Sequence, residues 1–346
     1  MVVRTFLAPE DAALVAAIRA LPRVHDEGAA ATSELFSRAE RHGLAGVLLD
    51  AYVAAGVPLP EAVQRRAAAR ELAREADHAA HLAMLRVIDR ALARANLVAV
   101  ALKGALLAER LYPRPSARPC TDIDLLVPEG ALDRATEALR DVGYAPWDDP
   151  AEARFRAESH HIHLVHPRAP TLELHFDAFK GFGTVMRADP LVARSRPVPR
   201  AEPGLSVVRC LAPEDEVVYL AAHAAGHRFM RLGWLYDVWL LVQKLDDDAM
   251  RAVVTRAAET KLMRPLVLAF DLLEELFGWS PPALLSSAGR ARFAIATAVA
   301  REPTSSLARS ATRFVFTLAL CADQQSARKY AREAMTGWLG RHLQRR

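Results

Sequence analysis

Two short runs, the apolar LVAVAL at 97–102 and the strand-like DIDLLV at 122–127, follow a stretch whose apolar residues recur at helical spacing. Such runs are too short for core helices, and their valine and isoleucine suit strands buried inside a sheet. Upstream, the spacing predicts helices over 12–21, 33–41 and 44–54, then a long one from Pro60 to Asn96. Pro60-Glu61 is a good helix start and Asn96 a stop, so the pattern turns from helical to mixed at that point.

Between the two runs lie Lys103-Gly104, a short helix through Leu111 and the proline-rich YPRPSARPC (112–120), which cannot be regular structure. Pro128 ends the second strand, and Glu129 to Val142 reads as an amphipathic helix closed by Gly143. HIHLVHP (161–167) and TLELHFDAF (171–179) alternate and read as a hairpin, with LSVVRCL (205–211) as one further strand. From Pro213 the chain is helical again, over 213–227, 231–245, 247–277 with a break near Pro265, 287–300, 305–321 and 325–343. The fold expected is α+β: a small mixed β-sheet core over 96–211, flanked by an N-terminal helical region (1–95) and a C-terminal helical domain (212–346).

At 346 residues and 52% apolar, the chain can bury a full core. A net charge of +4 falls well short of a dedicated nucleic-acid binder, so nucleic acid is not the favoured partner. No signal-peptide pattern is read at the start, and the longest apolar run near the middle is far below the roughly 20 residues of a membrane span. A soluble, cytoplasmic protein without a membrane partner is expected. Cys120, Cys210 and Cys321 are far apart with no CxxC pair, which suggests neither a disulfide framework nor a zinc knuckle. Few lysines in an alanine-rich chain resemble the output of a GC-rich bacterial genome.

Asp122 and Asp124 stand two apart in a strand pattern, so both side chains share one face. Two such carboxylates repel each other, and a hard cation such as Mg²⁺ between them turns repulsion into binding. D-x-D alone is also a common surface pair at a strand end. Glu173, His175 and Asp177 share a face of the later strand and offer a third carboxylate. That group can hold the catalytic metal and accept the proton of an attacking hydroxyl, while Asp122 and Asp124 bridge two ions. Lys103-Gly104 lies at a strand-to-helix junction suited to phosphate, and the loop arginines Arg114 and Arg118 can neutralise a triphosphate. In chain order these pieces describe one phosphate and metal cleft.

Two histidine groups also stand out. His160, His161, His163 and His166 cluster in the hairpin, where an alternating pair can ligate metal, although surface histidines on a strand are the commoner case. His223 and His227 lie at i and i+4, but Ala224 replaces the glutamate of H-E-x-x-H, which disfavours a zinc protease. Arg231, Trp234 and Asp237 beside them can line a cleft for base or acceptor.

Leu102-Lys103-Gly104, Tyr112-Pro113, Arg118, Asp122 to Val127 and LELHF (172–176) together resemble a family of uncharacterised bacterial nucleotidyltransferases of the DNA polymerase β superfamily. The similarity spans roughly 85–245, with Lys103-Gly104 standing where the superfamily usually has Gly-Ser. The resemblance implies a nucleotidyltransferase core that uses Mg²⁺, two ions, and an NTP such as ATP. Asp122, Asp124 and Glu173 would be its catalytic and metal-binding residues, and Lys103, Gly104 and Arg118 its nucleotide contacts. The acceptor implied is a hydroxyl or phosphate of a small molecule, peptide or protein. The alternatives are an RNA-directed, toxin-like enzyme using the basic end (Arg328, Lys329, Arg332, Arg341, Arg345, Arg346), or a nucleotide-binding module without chemistry.

Overall fold

A computed structural model describes residues 12–20, 32–147, 159–199, 205–280 and 306–343. The helix expected over 287–300 and the terminal Arg345 and Arg346 lie outside them. The chain begins with α1 (Ala12–Ala20), α2 (Ser33–Arg41), α3 (Ala45–Ala54) and the long α4 (Glu61–Arg94). Then come β1 (Ala99–Ala101), α5 (Ala105–Leu111), β2 (Asp122–Leu126), α6 (Leu132–Arg140), β3 (Ala145–Pro146), β4 (His161–Val165) and β5 (Thr171–His175). After these follow β6 (Asp177–Gly181), β7 (Thr184–Arg187), α7 (Ala188–Arg194) and β8 (Val208–Cys210). The last are α8 (Pro213–Gly226), α9 (Leu232–Val242), α10 (Asp247–Glu259), α11 (Met263–Phe277), α12 (Ser306–Leu320) and α13 (Gln324–Leu343). The expected α+β architecture is found: a mixed sheet, with helices before and after it in the chain.

Contacts divide the chain into two compact units, one of Val24–Phe179 with Met186–Glu216, the other of Met1–Arg23, Lys180–Val185 and Val217–Arg346. The first holds a six-stranded sheet in the order β3-β4-β5-β2-β1-β8. In it β2 runs antiparallel to β1 and parallel to β5, β8 runs parallel to β1, and β4 and β5 form the expected hairpin. On one face Ile123, Leu125, Ile162, Leu164, Leu172 and Leu174 enter a core with Leu85, Ile88 and Leu92 of α4 and Leu132 and Leu139 of α6. Strand alternation therefore sends Asp122, Asp124, His161, His163, Glu173 and His175 to the opposite face.

Local chemistry sets the boundaries. Asn96 stops α4 by turning to φ +52°, a left-handed conformation that asparagine tolerates. Its N–H and that of Leu97 close the helix on Ala93 O (3.0 Å) and Leu92 O (2.9 Å). The proline-rich loop does contain one regular turn, a 3₁₀ turn at Pro115–Ala117, because proline is at home where a helix start leaves N–H groups unpaired. The helix expected from Glu129 likewise opens with a 3₁₀ turn, Glu129–Ala131, before α6. The break expected near Pro265 falls earlier, at residues 260–262, where Lys261 adopts φ +60°; Pro265 itself sits in the first turn of α11.

The strand expected over 171–179 ends at His175. The amides of Phe176 and Asp177 both donate to His160 O, at 3.0 and 3.2 Å, so two consecutive residues face one carbonyl and the alternation slips. Asp177 then starts β6, paired only with β7, and its Oδ2 accepts from Arg187 Nη1 at 3.2 Å. In the second unit α11 packs against α1, α9 and α10.

Buried Asp89 of α4 fixes how β8 enters the sheet. Its carboxylate accepts the backbone N–H groups of Ser206 (3.0 Å), Val207 (2.9 Å) and Val208 (2.7 Å), and the Ser206 hydroxyl at 3.0 Å. Asp89→Ala removes four hydrogen bonds and leaves the buried Val208 N–H unpaired, which should cost at least about 2 kcal/mol, read as a lowered urea midpoint with unchanged slope.

Candidate active site

Parallel pairing of β2 with β5 sets Asp124 opposite Glu173, Asp122 opposite Thr171 and Leu126 opposite His175. Antiparallel pairing of β4 with β5 adds His161 opposite His175 and His163 opposite Glu173. Lys103, just past β1, reaches the same face: its Nζ lies 2.6 Å from Asp124 Oδ2 and 3.5 Å from Asp122 Oδ2. The turn that follows depends on Gly104, whose φ of +82° with ψ of −145° belongs to glycine. His175 Nε2 lies 3.3 Å from Asp124 Oδ1 and 3.4 Å from Glu173 Oε2. Glu173 also faces His163 Nε2 at 3.7 Å and His161 Nε2 at 3.9 Å.

The Asp124 side chain is 0% exposed, and an unpaired charge at such depth would cost several kcal/mol. Burial works to raise its carboxyl, yet Lys103 and His175 together overcome this and hold it well below the ordinary range. Burial likewise works against the Lys103 ammonium, and Asp124, Asp122 and Glu173 outweigh it, raising Lys103 above its usual value. His175 follows the same pattern, with burial opposed and overcome by its bonds to Asp124 and Glu173. His161 goes the other way: burial, reinforced by His175 and His163, pushes it down to about 3, so its imidazole is neutral.

Of the residues expected from sequence, the structure thus gathers Lys103, Asp122, Asp124 and Glu173, with Gly104 adjoining. Arg118 lies in the loop ahead of β2, nearly buried, with Nη1 on Cys120 Sγ at 3.5 Å. Arg114 is engaged by Asp50 (2.7 Å) and Glu71 and donates to Gly46 O at 3.2 Å, so its charge is already matched by carboxylates. Asp177 left this face with β6. His223 and His227 belong to the second unit, their rings 4.8 Å apart and both against Trp234, over which Arg231 lies.

Sequence reasoning placed His175 on the right face without giving it a role, and weighed His161 and His163 as a metal-ligating pair while favouring surface residues. The signal was there, since H-x-H in β4 pairs with E-x-H in β5. Ligand atoms of Asp124, Glu173 and His175 lie within 4.8 Å of one another, as do those of His161, His163 and Glu173 and those of His160, His161 and His175. Each group could hold a metal ion, and Asp122 joins the first through Lys103.

The strand-borne carboxylates beside a Lys-Gly turn are the setting in which the family becomes clear. The chain belongs to a family of uncharacterised nucleotidyltransferases, which matches residues 29–278. No curated protein and no solved structure matches it. No helix among the described residues is long and apolar enough to cross a membrane.

Because Lys103 neutralises a fully buried carboxylate, Lys103→Met should cost about 2–4 kcal/mol in metal-free buffer, and added divalent cation should recover part of it. Asp124, whose carboxyl is depressed in the fold, contributes stability above the ordinary carboxyl range near pH 4 and loses it as pH falls. The stability gap between the metal-free wild type and Asp124→Asn should therefore narrow below about pH 4, as followed by urea midpoints.

Proposed function

We propose that the chain transfers a nucleoside monophosphate from an NTP, ATP among them, to a hydroxyl or phosphate of a small molecule, peptide or protein. The observation that carries this reading is the register placing Asp124 beside Glu173, with Asp122 on the same face and Lys103-Gly104 at its edge. Membership of the nucleotidyltransferase family and the resemblance to the DNA polymerase β superfamily support it.

The donor set suits Mg²⁺. Three carboxylates offer hard oxygens, and the structure already sets the Lys103 ammonium and the His175 Nε2–H against Asp124. Asp122, Asp124 and Glu173 would hold the metal, two ions in the full form. Bound there, Mg²⁺ would neutralise phosphate oxygens and favour attack by the acceptor.

The chain's own groups do the rest. His175 anchors Asp124 and Glu173 by bonding both, which fixes the spacing of the ligands. Glu173, with its side chain 23% exposed, can accept the proton of an acceptor hydroxyl. Lys103 is the cation nearest the carboxylates and, once metal takes its place there, its ammonium is available to the triphosphate. Gly104 leaves the backbone open to phosphate, and Arg118 adds charge from the loop.

Asp122 gives the cleaner test, since its side chain is 28% exposed whereas Asp124 is part of the buried charge cluster. Incubation with each labelled NTP, Mg²⁺ and a cell extract should label an acceptor with the wild type and not with Asp122→Asn. Glu173→Gln should slow labelling by about 100-fold or more. Absence of transfer from every NTP, or full activity in Asp122→Asn, would overturn the assignment.

A further inference from the structure

His175 has two ring nitrogens and the carboxylates use one. Asp124 and Glu173 accept hydrogen bonds only, so Nε2 between them keeps a proton, and a metal ion at Nδ1 would take the place of any proton there. Nδ1 is buried and has no hydrogen-bond partner. A buried nitrogen left in that state is unfavourable unless something binds it. The rings of His160 and His161 stand beside the His175 ring, with centroids 5.4 and 4.7 Å from its own and 4.9 Å from each other. The ligand atoms of the three lie within 4.8 Å of one another.

We propose that His160, His161 and His175 form a second metal site, which takes a borderline divalent ion of the Zn²⁺ class. Three imidazoles with no carboxylate among them favour such an ion over Mg²⁺, which prefers oxygen ligands. A tetrahedral zinc holds its nitrogens about 2.0–2.1 Å away, so ligand nitrogens lie about 3.4 Å apart and each pair here closes by at most about 1.4 Å. Two of the three ligands are held by the backbone: His161 sits opposite His175 in the β4–β5 ladder, and His160 O takes the amides that end β5. A carboxylate on the far nitrogen of a ligating histidine is the usual outer support of zinc, since it fixes the tautomer and strengthens the donor. Asp124 and Glu173 stand in that position behind His175. The three imidazoles leave a coordination position for water or a ligand, and occupancy would be sensed by Asp124 through the shared histidine. The site stands on this geometry whether or not the chain transfers nucleotides.

Equilibrium dialysis of the full chain against Zn²⁺ in excess Mg²⁺, which fills oxygen sites, tests the proposal. The wild type should retain one zinc per chain. His160→Asn and His161→Asn should each weaken retention by more than about 10-fold, the least that loss of an outer partner costs a zinc site. Asp122→Asn and His227→Asn should leave it unchanged. His160 and His161 are only partly buried, and the metal-free thermal midpoint reports whether each variant folds; one that fails is replaced by the glutamine substitution. Absence of zinc retention in the wild type would overturn the site, as would wild-type retention in both histidine variants. A loss in Asp122→Asn equal to that in the histidine variants would place the ion at the carboxylates, and a loss in His227→Asn would place it in the second unit.

Discussion

A fully buried carboxylate is the constraint around which this sheet is organised. Asp124 is held only because Lys103 and His175 approach it from either side, and both depend on backbone decisions made elsewhere. Lys103 arrives because β1 ends at Ala101 and Gly104 turns the chain immediately after it. His175 arrives because β5 runs parallel to β2 in a register that carries Glu173 to the same place. A slip of one residue in β5 would send Glu173 and His175 into the apolar core and bring Leu172 and Leu174 out. The apolar face and the charged face therefore enforce a single register together.

That division also explains how a charged centre coexists with a small sheet. The core face is closed by α4 and α6, whose leucines and isoleucine pack against the strands' apolar side chains. The opposite face concentrates charges of both signs, and their mutual attraction offsets the cost of removing them from water. The side chains of this face, anchored in adjacent strands, keep their spacing through the backbone ladder.

Much of this was legible in the sequence. The strands over 97–102, 122–127 and 205–211, the hairpin, the long helix and the pairing of Asp122 with Asp124 on one face follow from periodicity, which needs only neighbouring residues, whereas β3 and β7 were not expected. What escaped depends on partners remote in the chain. Arg114 reads as a phosphate ligand until Asp50, 64 positions away, claims it. Asp177 reads as a companion of Glu173 because alternation continues through it on paper, whereas the carbonyl of His160 breaks the strand just before it. The Lys103 side chain reads as pointing at a phosphate, and its position on the carboxylates is a matter of side-chain direction that spacing does not encode. His175 shows the same limit from the other side, since a period of two gives its face and says nothing of its depth.

The contact between Asp89 and the segment entering β8 spans 117 to 119 positions of chain. During synthesis, α4 is complete long before Ser206, Val207 and Val208 leave the ribosome. Through that interval β1, the strand that delivers Lys103, lacks the partner that β8 later provides. Closure of the sheet edge is accordingly a late, long-range event, of the kind that slows assembly through the entropy of closing a large loop. The edge of the sheet beside the strand that leads into Lys103 is thus complete only once the segment carrying Ser206, Val207 and Val208 has been made.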